Sequence, residues 1–255
     1  MRMFRLCIFA GLCVAGAMLH ARTITVAADP WCPFNCIPGS SRQGYMVDLL
    51  AKILAPHGYA VKYIALPWSR AIRSAEHGDI DGVVAAGEED GARLLLHKTP
   101  MGVSMQAFAT RIGESFEWNG TASLGARRVE VIKNYDYGDA VNQWITQNPR
   151  QVEYATGESP LETSFKKVLA RRSDVVINNG SVMAYTLKQM DLLEAFTMKP
   201  TGNNVPLYIG LSNKIKDAQA ISDLINNGIA NARKSGELAV LLQKYGLSDW
   251  DVKAK

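Results

Sequence analysis

The fold of this chain is decided by residues 23–86, which read TITVAADPWCPFNCIPGSSRQGYMVDLLAKILAPHGYAVKYIALPWSRAIRSAEHGDIDGVVAA. The stretch begins with an apolar run over 23–28 that is typical of a buried strand, and apolar residues then recur at helical spacing over 45–57. A strand-like alternation over 60–66, a short helix opened by Pro67 and Trp68, and an apolar run over 80–86 complete the order β-α-β-α-β. Short connections in this order favour a mostly parallel sheet with helices on its faces.

The same order restarts in the second half of the chain. We predict strands at 127–133, 152–155 and 174–178, and helices at 137–147, 161–170 and 181–190. The polar, Gly- and Pro-containing segments 110–114 and 199–204 read as joints between the halves. One more strand at 207–211 and two helices at 218–234 and 237–245 follow. Ligands gather beyond the carboxyl ends of strands in such sheets, so the loops there should line a cleft between the two halves.

The first 21 residues have the layout of a secretory signal peptide. Residues 1–5 are basic and contain no acid, 6–19 form an apolar run, and Ala21 ends a stretch rich in small residues. The run is too short to span a bilayer comfortably. A buried N-terminal helix or an uncleaved anchor are the alternatives. Cleavage after Ala21 predicts a soluble mature chain in the periplasm.

The charge balance argues against a nucleic-acid partner. The chain has 28 Lys and Arg against 24 Asp and Glu, a formal net charge of +4. Loss of Arg2 and Arg5 with the signal peptide would leave only +2, whereas nucleic-acid binders carry strongly basic surfaces. The sequence also contains no phosphate-loop, His-Glu-x-x-His or Gly-x-Ser-x-Gly pattern. We therefore predict no cofactor, no metal site and no catalytic residues.

Two cysteines remain in the predicted mature chain. Cys32 and Cys36 are separated by three residues, in a loop rich in proline and aromatic residues. In an oxidising compartment such a pair most simply forms one local disulfide, which would fix the shape of that loop. A redox pair is the alternative, although the spacing is not Cys-x-x-Cys. A metal site would need further ligands, and no histidine lies near in sequence.

Four motifs carry a resemblance to a known family. They are Gly44-Tyr45-Met46-Val47-Asp48-Leu49-Leu50, then Pro67-Trp68-Ser69-Arg70-Ala71 with His77-Gly78-Asp79-Ile80-Asp81-Gly82, then 169–177, and finally 235–247. Their order and spacing resemble the periplasmic solute-binding proteins of polar amino-acid transporters, family 3, in a branch marked by Pro-Trp-x-Arg-Ala. The resemblance implies an α/β clamshell of type II, with two lobes and two hinge crossings. Lobe 1 would comprise 22–109 and 205–255, and lobe 2 would comprise 110–204.

The resemblance also places a ligand site in the cleft. Trp31 and Trp68 stand where family aromatics flank the ligand, and Arg93 stands where an arginine binds the ligand carboxylate through a bidentate fork. The family's hydroxyl residue before that arginine is missing, and three acids precede Arg93, so a salt bridge to one of them is the alternative to ligand contact. Arg70 lies near a helix N-terminus, where a cation is unfavourable, which suggests a ligand or an acidic partner.

The second lobe departs from the family pattern. Asn134-Tyr135-Asp136-Tyr137-Gly138 replaces the family's Gly-Thr-Thr helix start, and Asn179 replaces the acid that holds the ligand ammonium. Asp136 could also serve only as a helix cap. We expect a small polar ligand with a flat or apolar part. The predicted ligand residues are Trp31, Trp68, Arg70, Glu88, Arg93, Tyr135, Asp136, Tyr137 and Asn179.

The resemblance implies a monomeric protein that hands its solute to an inner-membrane ABC permease. A periplasmic partner that presents ligand to a membrane receptor is the first alternative. The second is an enzyme on the same scaffold, for example a dehydratase, in which Glu88, Glu89 or Asp90 would act as general acid or base.

Overall fold

The computed structural model of the chain describes residues 22–133, 135–157 and 159–250, so the predicted signal peptide lies outside the described residues. The strands are β1 (Arg22–Ala28), β2 (Tyr59–Ala65), β3 (Gly82–Ala86), β4 (Leu95–Leu96), β5 (Gly102–Arg111), β6 (Val129–Ile132), β7 (Val152–Ala155), β8 (Val175–Asn179) and β9 (Phe196–Leu211). The α-helices are α1 (Tyr45–Leu54), α2 (Trp68–His77), α3 (Asp139–Gln147), α4 (Pro160–Leu169), α5 (Gly180–Gln189), α6 (Ala218–Lys234) and α7 (Glu237–Lys244). Within these ranges, no helix has the length and apolar character needed to cross a membrane.

The strands form two parallel groups joined by two antiparallel strands. β1 pairs in parallel with β2 and β3, and β6 pairs in parallel with β7 and β8. Between these groups, β5 and β9 pair with each other; β9 continues alongside β3, and β5 alongside β8. This arrangement confirms the predicted clamshell: each lobe is a mostly parallel sheet flanked by helices, and β5 and β9 are the two crossings.

The predicted lobe boundaries fall within the crossing strands. The boundary at 109/110 lies inside β5, and the boundary at 204/205 lies inside β9. One apolar cluster joins α1 with α6 and α7 through residues such as Leu50, Ile225 and Leu242. The C-terminal helices therefore return to the sheet of β1, as expected, and the division at these two points stays a prediction.

The extent of β9 corrects the sequence analysis. Segment 199–204, predicted as a joint outside the strands, is part of β9, where Lys199 pairs with Phe108 and Pro200 with Ala107. Gly202 has a φ of 86°, and the β5–β9 register shifts between Met105 and Ala107. The strand is thus bulged here and not broken, because the ladder resumes on both sides of the irregularity.

Helix α1 shows why the local predictions succeeded. Its buried residues include Met46, Leu50 and Ile53, which recur at the spacing of one helix face. A 3-10 turn extends it over Ala55–His57, and Gly58 ends that turn with a left-handed φ of 80°. The predicted helix over 45–57 is therefore confirmed, because its start, its apolar face and its end are all encoded locally.

His97 is a buried titratable side chain beneath β9. Only 2% of it is exposed, and its Nε2 accepts a hydrogen bond from the backbone N–H of Ile209 at 3.0 Å. Burial disfavours the charged imidazolium and lowers the pKa of His97 from 6.5 to about 4. The folded protein therefore excludes a proton that the unfolded chain binds below pH 6.5.

We expect the free energy of unfolding to fall by about 3 kcal/mol as the pH drops from 6.5 to 4. In this window the unfolded chain binds more protons at His97 than the folded protein does, so acid favours unfolding. Urea unfolding at a series of pH values measures the effect. His97→Gln keeps an acceptor for the Ile209 N–H and should remove most of the slope, whereas His77→Gln, at an exposed position, should keep it. Equal slopes in wild type and His97→Gln would contradict this assignment.

Candidate functional site

A cleft of about 820 Å³ opens where the carboxyl ends of both parallel groups face each other. Its size falls within the range of roughly 300–1,000 Å³ typical of small-molecule sites. Residues that follow β1, β2, β3 and β6 line it, together with the last two residues of β8 and residues of β5 and β9. The loops predicted to line a cleft therefore all reach it, since parallel strands deliver their following loops to one edge.

The structure brings six of the nine predicted ligand residues to the cleft: Trp31, Trp68, Tyr135, Asp136, Tyr137 and Asn179. Arg70, Glu88 and Arg93 lie outside its lining, and all three are exposed. The Arg93 Nη2 is 2.7 Å from the Asp90 Oδ1, and its Nε is 3.6 Å from the Glu76 Oε1. The salt-bridge alternative for Arg93 is thus the observed arrangement, and ligand contact by these three residues stays a prediction.

The loop after β1 forms one wall of the cleft. Cys32 and Cys36 form the predicted disulfide, with their Cα atoms 4.7 Å apart. Within the loop, the backbone N–H of Trp31 donates to the backbone carbonyl of Asn35 at 2.6 Å. The Trp31 ring stacks on Phe34 with centroids 4.5 Å apart. These contacts hold the indole of Trp31 in place beside the cleft.

Asn35, which the sequence analysis did not single out, lies buried at the base of this wall. Its Nδ2 donates to the Asp29 backbone carbonyl at 2.6 Å and to the Tyr63 hydroxyl at 3.0 Å. Because a carbonyl can only accept, these contacts fix the amide orientation. Its Oδ1 is buried and has no hydrogen-bond partner among the described residues.

Asp29 places a carboxylate directly after β1. Burial raises the pKa of Asp29. The pKa of Tyr135, which comes from the other lobe, is raised mainly by burial and to a smaller extent by the negative charge of Asp29. No salt bridge of the described residues involves Asp29. Among the described residues, the Asp29 carboxylate therefore lines the cleft without an ion-pair partner.

The Tyr135–Tyr137 segment opens α3 on the opposite side. The Asp136 Oδ1 accepts hydrogen bonds from the Asn142 side chain at 2.6 Å and from the Gly138 N–H at 2.8 Å, and both lower the pKa of Asp136. The Tyr137 hydroxyl accepts from the Ile132 N–H at 2.7 Å. Asp136 thus holds the turn that precedes α3, and Tyr135, which is 40% exposed, presents its ring to the cleft.

Two consecutive amides end β8. The Asn179 Oδ1 accepts from the Val182 N–H at 3.0 Å and caps α5, while its Nδ2 donates to the Ser104 hydroxyl at 2.9 Å. The Asn178 Oδ1 accepts from the Asn179 N–H at 2.7 Å, and its Nδ2 is buried without a partner among the described residues. Asn178 therefore has unused hydrogen-bonding capacity at the cleft, whereas both ends of the Asn179 amide are already engaged.

Sequence reasoning missed several cleft residues for different reasons. Asp29 directly follows a predicted strand. It could have been found from the sequence, because ligands in such sheets bind beyond the carboxyl ends of the strands. Trp118 comes from an irregular segment without any periodic signal and stacks on Phe108 with centroids 4.4 Å apart. Asn35 lies inside the disulfide loop, and only the three-dimensional structure shows that its Oδ1 is unpaired.

Comparison with known proteins gives one family and a common fold. The sequence model of the bacterial extracellular solute-binding proteins, family 3, matches residues 24–248. No curated protein matches the sequence. Solved structures do resemble it. An ancestral arginine-binding protein bound to arginine is 18% identical, with a TM-score of 0.64 over 89% of this chain and 99% of that chain.

Two further solved structures have the same architecture. One, described for glutathione import in Gram-positive bacteria via GshT and the cystine ABC importer TcyBC of Streptococcus mutans, is 15% identical, with a TM-score of 0.70 over 89% of this chain and 96% of that chain. The other is a histidine kinase sensor domain with similarity to periplasmic binding proteins, 17% identical, with a TM-score of 0.65 over 89% and 96% of the two chains. At these identities the likeness shows the fold alone.

Proposed function

Because the chain belongs to the bacterial extracellular solute-binding proteins of family 3, we propose that it captures a small polar solute in the cleft between its lobes. The observation that carries the proposal is the lining of the cleft. Trp31 and Trp68 come from one lobe and Tyr135 from the other, around a space of about 820 Å³. Rings contributed by both lobes can enclose a ligand when the lobes close around it.

The cellular role follows from the same proposal. A cleaved signal peptide over 1–21 would deliver the protein to the periplasm, where it would work as a monomer. Its first lobe would comprise 22–109 and 205–255, and its second lobe 110–204. An inner-membrane ABC permease would receive the solute. Uptake of labelled solute by cells with and without the gene tests this role, and unchanged uptake together with a lost transcriptional response would favour a receptor partner instead.

An enzymatic role has less structural support. Of the acids considered for catalysis, Glu88 lies outside the cleft lining, and the Asp90 carboxylate is paired with Arg93 at 2.7 Å. Glu89 does line the cleft. Conversion of the identified ligand by the purified protein, lost in Glu89→Gln, would establish catalysis.

Replacing Trp68 by alanine should weaken solute binding by about 30-fold, the effect expected when a central aromatic contact is lost. The solute is first identified by mass spectrometry of the natively purified secreted protein, and its affinity is then measured by calorimetry. Trp68 also packs against the core, so Trp68→Phe, which keeps a ring, should retain most of the affinity.

Tyr154→Ala provides the matched control, because Tyr154 is an exposed aromatic outside the cleft, and it should bind as wild type does. The proposal fails if no small molecule co-purifies and no metabolite raises the melting temperature.

A further inference from the structure

The charged side chains of the cleft are all acidic within the part of the chain that the structure describes. The lining carboxylates are Asp29, Glu89, Asp90, Asp136 and Asp139. Asp90 is paired with Arg93, and Asp136 holds the turn before α3, so these two are already engaged. No described Lys or Arg lines the cleft. A ligand carboxylate would therefore meet negative charge here, and Arg93, which lies just outside the lining, is already paired with Asp90 and Glu76.

Aromatic rings surround these carboxylates. Trp31 and Trp68 stand on one side, and Trp118, Tyr135 and Tyr137 stand on the other. The face of each ring carries a negative partial charge that attracts organic cations, most strongly for Trp. A cation between these rings would also relieve the cost of holding the half-buried carboxylate of Asp29 away from water.

Two buried amides of the lining each have one polar atom without a partner among the described residues. Asn35 is 1% exposed and Asn178 is 3% exposed, and both line the cleft. The Asn35 Oδ1 is an unused acceptor, and the Asn178 Nδ2 is an unused donor. Their orientations are fixed, because the Asp29 carbonyl can only accept and the Asn179 N–H can only donate. A ligand that reaches these two atoms would have to offer an N–H group to the Asn35 Oδ1 and an oxygen to the Asn178 Nδ2.

From these observations we infer that the ligand is a small organic cation that bears an N–H group and a neutral oxygen and lacks a carboxylate. Amides of amino acids and hydroxyl-bearing amines belong to this class. The inference rests on the proposed function, since it specifies the chemistry of the solute held in the same cleft. Asp29 and Asn35 would bind the cationic N–H group, and Asn178 would bind the neutral oxygen. A ligand without these groups leaves buried polar atoms unpaired, which is the basis of strong discrimination.

Matched pairs that differ in a carboxylate test the inference. The pairs are phenylalaninamide with phenylalanine, tyramine with tyrosine, and argininamide with arginine. Binding to the secreted protein is measured by calorimetry after any co-purified ligand has been removed by unfolding and refolding. We expect at least one amine to bind, and its carboxylate counterpart to bind about 30-fold more weakly or not at all.

A substitution assigns the preference to the cleft. Asp29→Asn should weaken binding of the preferred amine by about 30-fold, because the ligand charge would then lose its partner. The melting temperature of the ligand-free variant confirms that it folds. Asp79→Asn is the matched control, since Asp79 is exposed and outside the cleft lining, and it should bind as wild type does.

Two different failures are distinguishable. Tighter binding of the carboxylate members, or wild-type amine affinity in Asp29→Asn, would overturn the inference and leave solute binding intact. A co-purified ligand that carries a carboxylate, with or without a cationic nitrogen, would do the same. If neither set binds and the natively purified protein carries no small molecule, the inference and the proposed function both fail.

Discussion

Replacing Gly44 by alanine should lower the free energy of unfolding by about 3 kcal/mol or more. Gly44 has a φ of 105° and a ψ of 143°, a region that residues with a side chain rarely adopt. An added Cβ would also overlap the backbone of Phe34 and Asn35. Because both neighbours are backbone atoms in a disulfide-closed loop, they cannot move aside as a flexible side chain could.

The same substitution should weaken solute binding, because the displaced loop carries Trp31 and Asn35 into the cleft. Gly39→Ala is the control for backbone strain alone. Gly39 has a φ of 74°, but a Cβ there would meet nothing within 4 Å, so its cost should be near 1 kcal/mol. Urea unfolding compares the two variants, and calorimetry with the identified solute measures binding. A Gly44→Ala protein as stable as Gly39→Ala would refute the proposed overlap.

Removing the positive charge of Lys167 should cost about 3 kcal/mol of stability. Glu130 on β6 is fully buried, and its carboxylate accepts from the Lys167 ammonium at 3.1 Å and from the hydroxyls of Ser164 and Ser173. Lys167→Met would leave that carboxylate buried without a counter-charge. The change should therefore destabilise the sheet that positions the Tyr135–Tyr137 segment.

A second substitution should restore most of this loss. Glu130→Gln in the Lys167→Met background removes the uncompensated charge, and the two serine hydroxyls can rotate to bond the new amide. Lys166→Met serves as the control. Its ion pair with Glu162, at 3.8 Å, is exposed and should contribute no more than about 0.5 kcal/mol. Thermal and urea unfolding decide the question, and equal effects of the two lysine substitutions would contradict a special role for Glu130.

Much of the fold could be predicted because its signals are local. α1 and α6 each have an apolar face with helical spacing, and their bounds depend on a few neighbouring residues. The extent of β9 could not be predicted, because Pro200 and Gly202 are typical of loops. They are accommodated only because β5 pairs with β9 on both sides of the bulge, which is a long-range contact.

The candidate site was predictable in position but not in chemistry. The places of Trp31, Trp68 and Tyr135 follow from motifs at strand ends, and all three line the cleft. The position of the Arg93 side chain depends on a 3-10 turn over Glu88–Ala92, which brings the Asp90 carboxylate next to it. The acidic balance of the lining and the unpaired atoms of Asn35 (Oδ1) and Asn178 (Nδ2) are properties of the assembled cleft, so no single segment reveals them.

The double crossing has a consequence for the order in which parts of the chain can complete their packing. All buried residues of one apolar cluster lie between Phe108 and Ile177, so that core can close before the rest of the chain has emerged. The main cluster contains residues from Ile24 to Tyr245. Strand β3 pairs with β9, which is synthesised more than a hundred residues later. We therefore expect the amino-terminal segments to complete their packing only after the last helices have been synthesised.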